Sequence, residues 1–107
     1  MIPVIKEGTG FEIEVHPLDG EGNEVPVNSA EYRIDDLSSG QNVLPWTEAE
    51  ELSPILLKVS PSETVMIDET RRTERRLITV IAHFGTDGQI TEEFYFKVKN
   101  LRFIPKN

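Results

Sequence analysis

The stretch from Ile78 to Val98, ITVIAHFGTDGQITEEFYFKV, decides the fold class. Ile78, Val80, Ala82 and Phe84 recur at every second position, and Ile90, Phe94, Phe96 and Val98 answer beyond Gly85-Thr-Asp-Gly88. A period of two belongs to a strand, whose successive side chains point to opposite faces. Asp-Gly with a flanking glycine supplies the backbone freedom of a tight hairpin, so 75–84 and 89–100 read as an antiparallel pair. Leu77 and Ile81 on the opposite face of the first strand predict that it is central in its sheet and partly covered on both sides.

Working outward, the same alternation recurs. Phe11, Ile13 and Val15 alternate with Glu12, Glu14 and His16, and Ala30, Tyr32 and Ile34 with Glu31, Arg33 and Asp35. Leu44 and Trp46 share a parity, Ile55, Leu57 and Val59 follow, and Val65 and Ile67 make a short further run. Seven strands are predicted, at about 11–13, 30–36, 42–47, 54–60, 64–68, 75–84 and 89–100, joined by loops rich in Gly, Pro, Ser, Asp and Asn. That is the pattern of an all-β, seven-stranded antiparallel sandwich. Thr47 to Leu52, TEAEEL, suits a helical turn better than a strand, but six residues change no class.

A chain of 107 residues has room for one domain with one core. Residues 1–107 are read as that domain, with 1–9 and 101–107 as terminal arms. Hydrophobic residues at 37% and charged residues at 28% suit a globular chain and not a disordered one. With no cysteine, disulfides, thiolate metal sites and a cysteine nucleophile are excluded. No apolar run approaches a membrane span, and Met1 to Glu7 lacks the basic and long apolar regions of a signal peptide, so folding in a cytoplasm is expected, although a domain cut from a larger secreted chain would read the same. A net charge of -8 opposes nucleic-acid binding and leaves a basic protein surface open as a partner, and without an apolar span no membrane is expected.

The polar constellations resolve into turns and surfaces. Asp35 and Asp36 are adjacent on a strand and point to opposite faces, so they cannot share a substrate. Asp36 or Ser38 is instead expected to hydrogen-bond the backbone of the turn Leu37-Ser-Ser-Gly40. Ser38 and Ser39 lack a nucleophile elbow, and His16 and His83 fall on outward registers, which leaves neither a triad nor a transition-metal set. Asp19-Gly-Glu-Gly-Asn23 offers oxygens at alternate positions, as a calcium loop does, but Glu24 stands at the sixth place and Ala30 at the twelfth. A flexible acidic turn is the reading, and no cofactor or metal is expected.

Arg71, Arg72, Arg75 and Arg76 make the one basic cluster, either neutralised by Asp68, Glu69 and Glu74 or free to dock an acidic partner; they are the candidate interaction patch. Trp46 could present a stacking platform for sugar, yet its parity with Leu44 places it in the core between two sheets.

Tyr32-Arg-Ile, Ser39-Gly, Trp46, Pro54 to Pro61 (PILLKVSP), Ile78-x-Val-x-Ala-x-Phe-Gly85 and Phe94-x-Phe-x-Val98 together resemble the immunoglobulin and fibronectin type III superfamily of sandwiches. The departures are the missing cysteine pair and Ile78, where fibronectin-like domains usually carry tyrosine. Tyr32 to Asp36, Ser39-Gly40, Trp46-Thr47, Glu74 to Arg76, Ile78 to Gly85 and Phe94 to Leu101 also resemble small proteins of tailed-bacteriophage and prophage structural modules. That resemblance implies an immunoglobulin-like fold and a non-enzymatic virion structural or assembly protein. Its partners would be other capsid, neck or tail proteins, and its place the virion or the host bacterial cytoplasm during assembly. The alternative is a carbohydrate-binding or adhesive module built on Trp46 and Tyr95. A homo-oligomer is also expected, because an open sandwich leaves edges that can pair.

Overall fold

A computed structural model describes residues 2–103. Seven strands follow in order: β1 (Val4–Lys6), β2 (Phe11–Val15), β3 (Ser29–Asp36), β4 (Asn42–Glu48), β5 (Ile55–Val59), β6 (Thr73–Phe84) and β7 (Gly88–Lys99). They form a five-stranded sheet in the order β1-β7-β6-β3-β4 and a two-stranded sheet β2-β5. Among the described residues there is no α-helix, so the protein is all-β as expected.

The β6–β7 hairpin is the spine. Its register runs unbroken from Thr73 opposite Lys99 to Phe84 opposite Gly88. Gly85 takes the positive φ of 59° that the turn demands. Gly88 serves differently: a Cβ there would run into the Phe84 ring. As predicted, β6 is central, flanked by β7 and β3, and Leu77 and Ile81 are half-buried on its outer face.

Inward residues of both sheets share one core. Ile34, Ile78 and Val98 meet Ile55 and Leu57, all five fully buried; each is worth about 1.5–3 kcal/mol of transfer free energy. Two contacts bridge the sheets directly. Tyr32 Oη on β3 donates to the Lys58 carbonyl on β5 at 3.0 Å, and Phe11 on β2 meets Phe96 on β7 edge-to-face with ring centres 5.2 Å apart.

Four expectations need correction. First, the large sheet is mixed and not antiparallel throughout, because β1 runs parallel to β7 with Ile5 opposite Val98. This strand lies in the segment expected as an arm. Lys97 N donates to the Pro3 carbonyl at 2.9 Å and Glu7 N to the Lys99 carbonyl at 3.0 Å, and Pro3 itself suits an edge because it has no N–H to pair.

Second, 64–68 is no strand. Pro61–Thr64 makes a 3-10 turn, Val65 is exposed and Met66 buried. Third, TEAEEL makes no helical turn: Thr47 and Glu48 complete β4, residues 49–51 are bend and coil, and Leu52 bridges to Ile55. Of the C-terminal arm, Leu101–Phe103 forms a 3-10 turn and 104–107 lies outside the described residues.

The fourth correction concerns Trp46, which is 42% exposed. Leu44 pairs with Ile34 but Thr47 pairs with Tyr32, so three residues of β4 span what two span on β3. The extra residue is a bulge, and a one-residue slip sends every later side chain to the other face. Leu44 is half-buried on the inner side while Trp46 turns out over Arg33, with the guanidinium carbon 5.6 Å from the ring centre.

The two sheets are unequal. Strands of 12 residues reach about 40 Å, whereas β2 and β5 reach about 17 Å. The small sheet therefore leaves the inner face open at both sides. An apolar cleft of about 480 Å³ opens beside β1 and β2, lined by Ile5, Ile13, Phe94 and Phe96 among others. A groove of about 660 Å³ opens between β4 and β5.

Candidate functional site

The arginine cluster divides by register. Glu74 and Arg76 continue the inward parity of Ile78 and Val80, so both are fully buried, together with Asp36, which continues the inward parity of Tyr32 and Ile34. Arg76 Nη2 lies 2.9 Å from Glu74 Oε1 and Nε 3.3 Å from Asp36 Oδ1. The remaining guanidinium donors reach backbone: Nη1 to the Glu63 carbonyl at 2.6 Å and Nη2 to the Val65 carbonyl at 2.7 Å. Glu74 in turn accepts from Ile67 N and Asp68 N at 2.7 and 3.0 Å, and Asp36 Oδ2 accepts from Ser39 N at 2.8 Å.

This cluster explains why 64–68 is not a strand. Ile67 N, Asp68 N and the Val65 carbonyl bond the side chains of Glu74 and Arg76, and the Thr64 and Asp68 carbonyls accept from Gly8 N and Arg71 N, so these groups need no ladder partner. Asn100 holds the next turn similarly, donating from Nδ2 to the Glu69 and Arg71 carbonyls at 2.8 and 2.9 Å. Arg71 Nη1 lies 3.8 Å from Glu74 Oε2 and Nε 3.7 Å from Asp68. Two cations thus face two buried carboxylates, which keeps the cluster near neutrality.

Arg76 is therefore not part of any surface patch, and Arg71 is tied to acidic neighbours. Arg72 and Arg75 are exposed. What the arginine run conceals is that strand parity applies to charges as it does to isoleucines. Extending the Ile78-Val80 register back by two and four places would have found both buried groups.

The other candidates are turns. Asp19 Oδ1 accepts from Glu21 N and Asn23 N at 2.8 and 3.0 Å, and these backbone donors, Asn23 first, hold its carboxyl below the usual aspartate range. Among the described residues no group of acidic or histidine side chains is arranged to hold a metal. Asp36 caps the turn as expected, while Ser38 Oγ accepts from Arg75 N on β6 at 3.1 Å. His16 is exposed, with Nδ1 2.6 Å from Glu24 and Nε2 3.5 Å from Glu14. In the β4–β5 groove, Glu12, Glu48, Glu50 and Glu63 line the walls with Lys58 and Tyr32. The Tyr32 hydroxyl there is committed to the Lys58 carbonyl, and Lys58 Nζ stands 3.4 Å from Glu50.

The outer face of the five-stranded sheet carries the groups that remain. Across its middle run Trp46 on β4, Arg33 and Asp35 on β3, Leu77, Thr79 and Ile81 on β6, and Glu93 and Tyr95 on β7. Tyr95 is 44% exposed. Arg33 forms a bidentate pair with Asp35, at 2.8 and 2.7 Å, which raises the arginine's pKa and lowers the carboxyl's. That pair neutralises itself and braces the guanidinium against the indole. Trp46 and Tyr95 stand three strand spacings apart, about 14 Å. The face is partly apolar, with two exposed aromatics, a braced arginine and a hollow of about 120 Å³ at its Glu31, Glu48 and His83 end, a composition that can adhere. In comparisons with models of known protein families, with curated proteins and with solved structures, nothing matches this chain.

Proposed function

We propose that this is an immunoglobulin-like sandwich acting as a non-enzymatic structural or assembly protein of a tailed-phage or prophage virion, through protein contacts made by the outer face of its five-stranded sheet. The observation that carries the contact reading is that face, where Trp46, Tyr95, Leu77 and Ile81 lie between exposed charges. Protein interfaces favour such a composition: aromatics and arginine at the centre, charge at the rim.

The immunoglobulin-like reading draws on the order β1-β7-β6-β3-β4 over β2-β5, with a short first strand parallel to the last. The phage reading rests on the sequence resemblance. The structure adds that the widely spaced parts of that pattern, Tyr32 to Asp36, Glu74 to Arg76 and Phe94 to Leu101, converge on the core and its buried polar cluster. Such a pattern serves as a fold signature, and function is left to the surface.

Mass spectrometry of virions purified after prophage induction tests the reading. A stoichiometric band of this chain supports it, and its absence from virions and assembly intermediates overturns it. A second reading, a carbohydrate-binding module, is favoured by one observation: Trp46 and Tyr95 are exposed on one face. It predicts that a glycan perturbs Trp46 emission, and a glycan array with no ligand would remove it.

A further inference from the structure

The charges on the outer face are segregated by end. Arg75 pairs in register with Lys97, and Thr73 with Lys99; on the far side Val4 is opposite Lys97 and Lys6 opposite Lys99. These odd-numbered positions of β6 and β7 point away from the core, so Lys6, Arg75, Lys97 and Lys99 gather at one end of the face. No ion pair neutralises any of the four among the described residues. At the other end Glu31 stands opposite Glu48, while Glu93, opposite Thr79 and so level with Arg33, lies toward the middle. From Arg75 to Ile81, which neighbours Glu31, the strand advances about 20 Å. Between the two ends lie Leu77, Tyr95, Trp46 and the self-neutralised Arg33–Asp35 pair.

In a chain of net charge -8, a cationic end unopposed by local carboxylates is a distinctive feature, and the same face carries its complement. The basic end lies on β1, β7 and β6 and the acidic end on β3 and β4, diagonally across the face, so a two-fold axis in the plane of the face and perpendicular to the line joining them exchanges the two. It brings the basic end of one copy over the acidic end of its partner, with the apolar middles in contact. Such an isologous contact satisfies both ends at once, because each residue pair occurs twice. We propose that the partner of this face is a second copy of the chain, in a face-to-face homodimer steered by these opposite charges. The proposal rests on the reading of the face as a protein-contact surface and names its occupant.

Sedimentation equilibrium tests it, together with two double variants, K97E/K99E and E31K/E48K. The expected wild-type mass rises with concentration to twice 12.1 kDa, and added NaCl pushes the midpoint to higher concentration. Each double variant removes the complementarity, K97E/K99E by cancelling the charge of the basic end and E31K/E48K by leaving both ends cationic, and associates at least about tenfold more weakly. An equimolar mixture of the two associates more tightly than either variant alone, since the acidic end kept by K97E/K99E meets the basic end kept by E31K/E48K. A wild-type chain that stays at the monomer mass overturns the proposal, as does a mixture that fails to associate while both variants keep the wild-type circular dichroism. The salt dependence of the wild type stands even where a variant does not fold. A monomeric wild type would remove the dimer alone; absence from virions would remove the wider reading.

Discussion

Asp36 and Arg76 are 40 residues apart in the chain and fully buried side by side, with Arg76 Nε 3.3 Å from Asp36 Oδ1. Glu74 completes the set, and between them Arg76 and Glu74 satisfy two carbonyls and two N–H groups of the segment 63–68. The cluster thus replaces a strand ladder: it fastens a non-repetitive segment to the end of β6.

Removing its cation should therefore be severe. Arg76→Met leaves Asp36 and Glu74 buried without their central partner and orphans the Glu63 and Val65 carbonyls, at a cost of about 3–5 kcal/mol. Apolar replacement of all three residues at once should not restore stability as it can for an ion triad bonded only to itself, because the backbone groups of 63–68 would stay unpaired. Urea unfolding of both variants checks this, and wild-type stability in either would contradict it.

The Tyr32 hydroxyl, bonded at 3.0 Å to the Lys58 carbonyl, is the one side-chain hydrogen bond from the large sheet to β5 among the described residues. Tyr32→Phe should cost about 0.5–1.5 kcal/mol with an unchanged denaturant slope. Burial raises the Tyr32 pKa above 10.0, so ultraviolet titration should place the Tyr32 midpoint above that of a free phenol.

His16 sits between Glu24 and Glu14, and the hydrogen bond to Glu24 first of all raises its pKa above 6.5. A folded-state pKa above the unfolded one means that the protonated pair stabilises the fold. The contribution is fully present below pH 6.5 and is lost as pH rises through the folded value. Both groups are exposed, so the effect is small. Proton NMR should find the His16 midpoint above 6.5 and find it lowered in Glu24→Gln; an unchanged midpoint would contradict the assignment.

How much of this was legible in the sequence follows from where periodicity speaks. The β6–β7 hairpin could be read in full because its core face is apolar throughout and its turn carries the required glycine. Val65 and Ile67 alternate like a strand, yet their backbone partners are the charged side chains of Glu74 and Arg76, which a hydrophobicity pattern overlooks. β1 is three residues long, too short to show a period. Trp46 was placed in the core because parity assumes a regular strand, and one bulged residue reverses it. The basic cluster was seen as a run of sequence; in the fold its members part company. Arg76 is buried, whereas Arg75 joins Lys6, Lys97 and Lys99, residues about 20 or more positions away in the sequence, across three adjacent strands.

Trp46, the single tryptophan, stands on the outer face of the five-stranded sheet, the proposed contact surface. Acrylamide quenching of its fluorescence across a protein dilution series is the most direct measurement. The predicted result is free quenching in dilute solution, with protection growing as concentration rises and vanishing again in high salt. Protection that persists at every dilution would return Trp46 to the core, and free quenching at every concentration would show that the face meets no second copy.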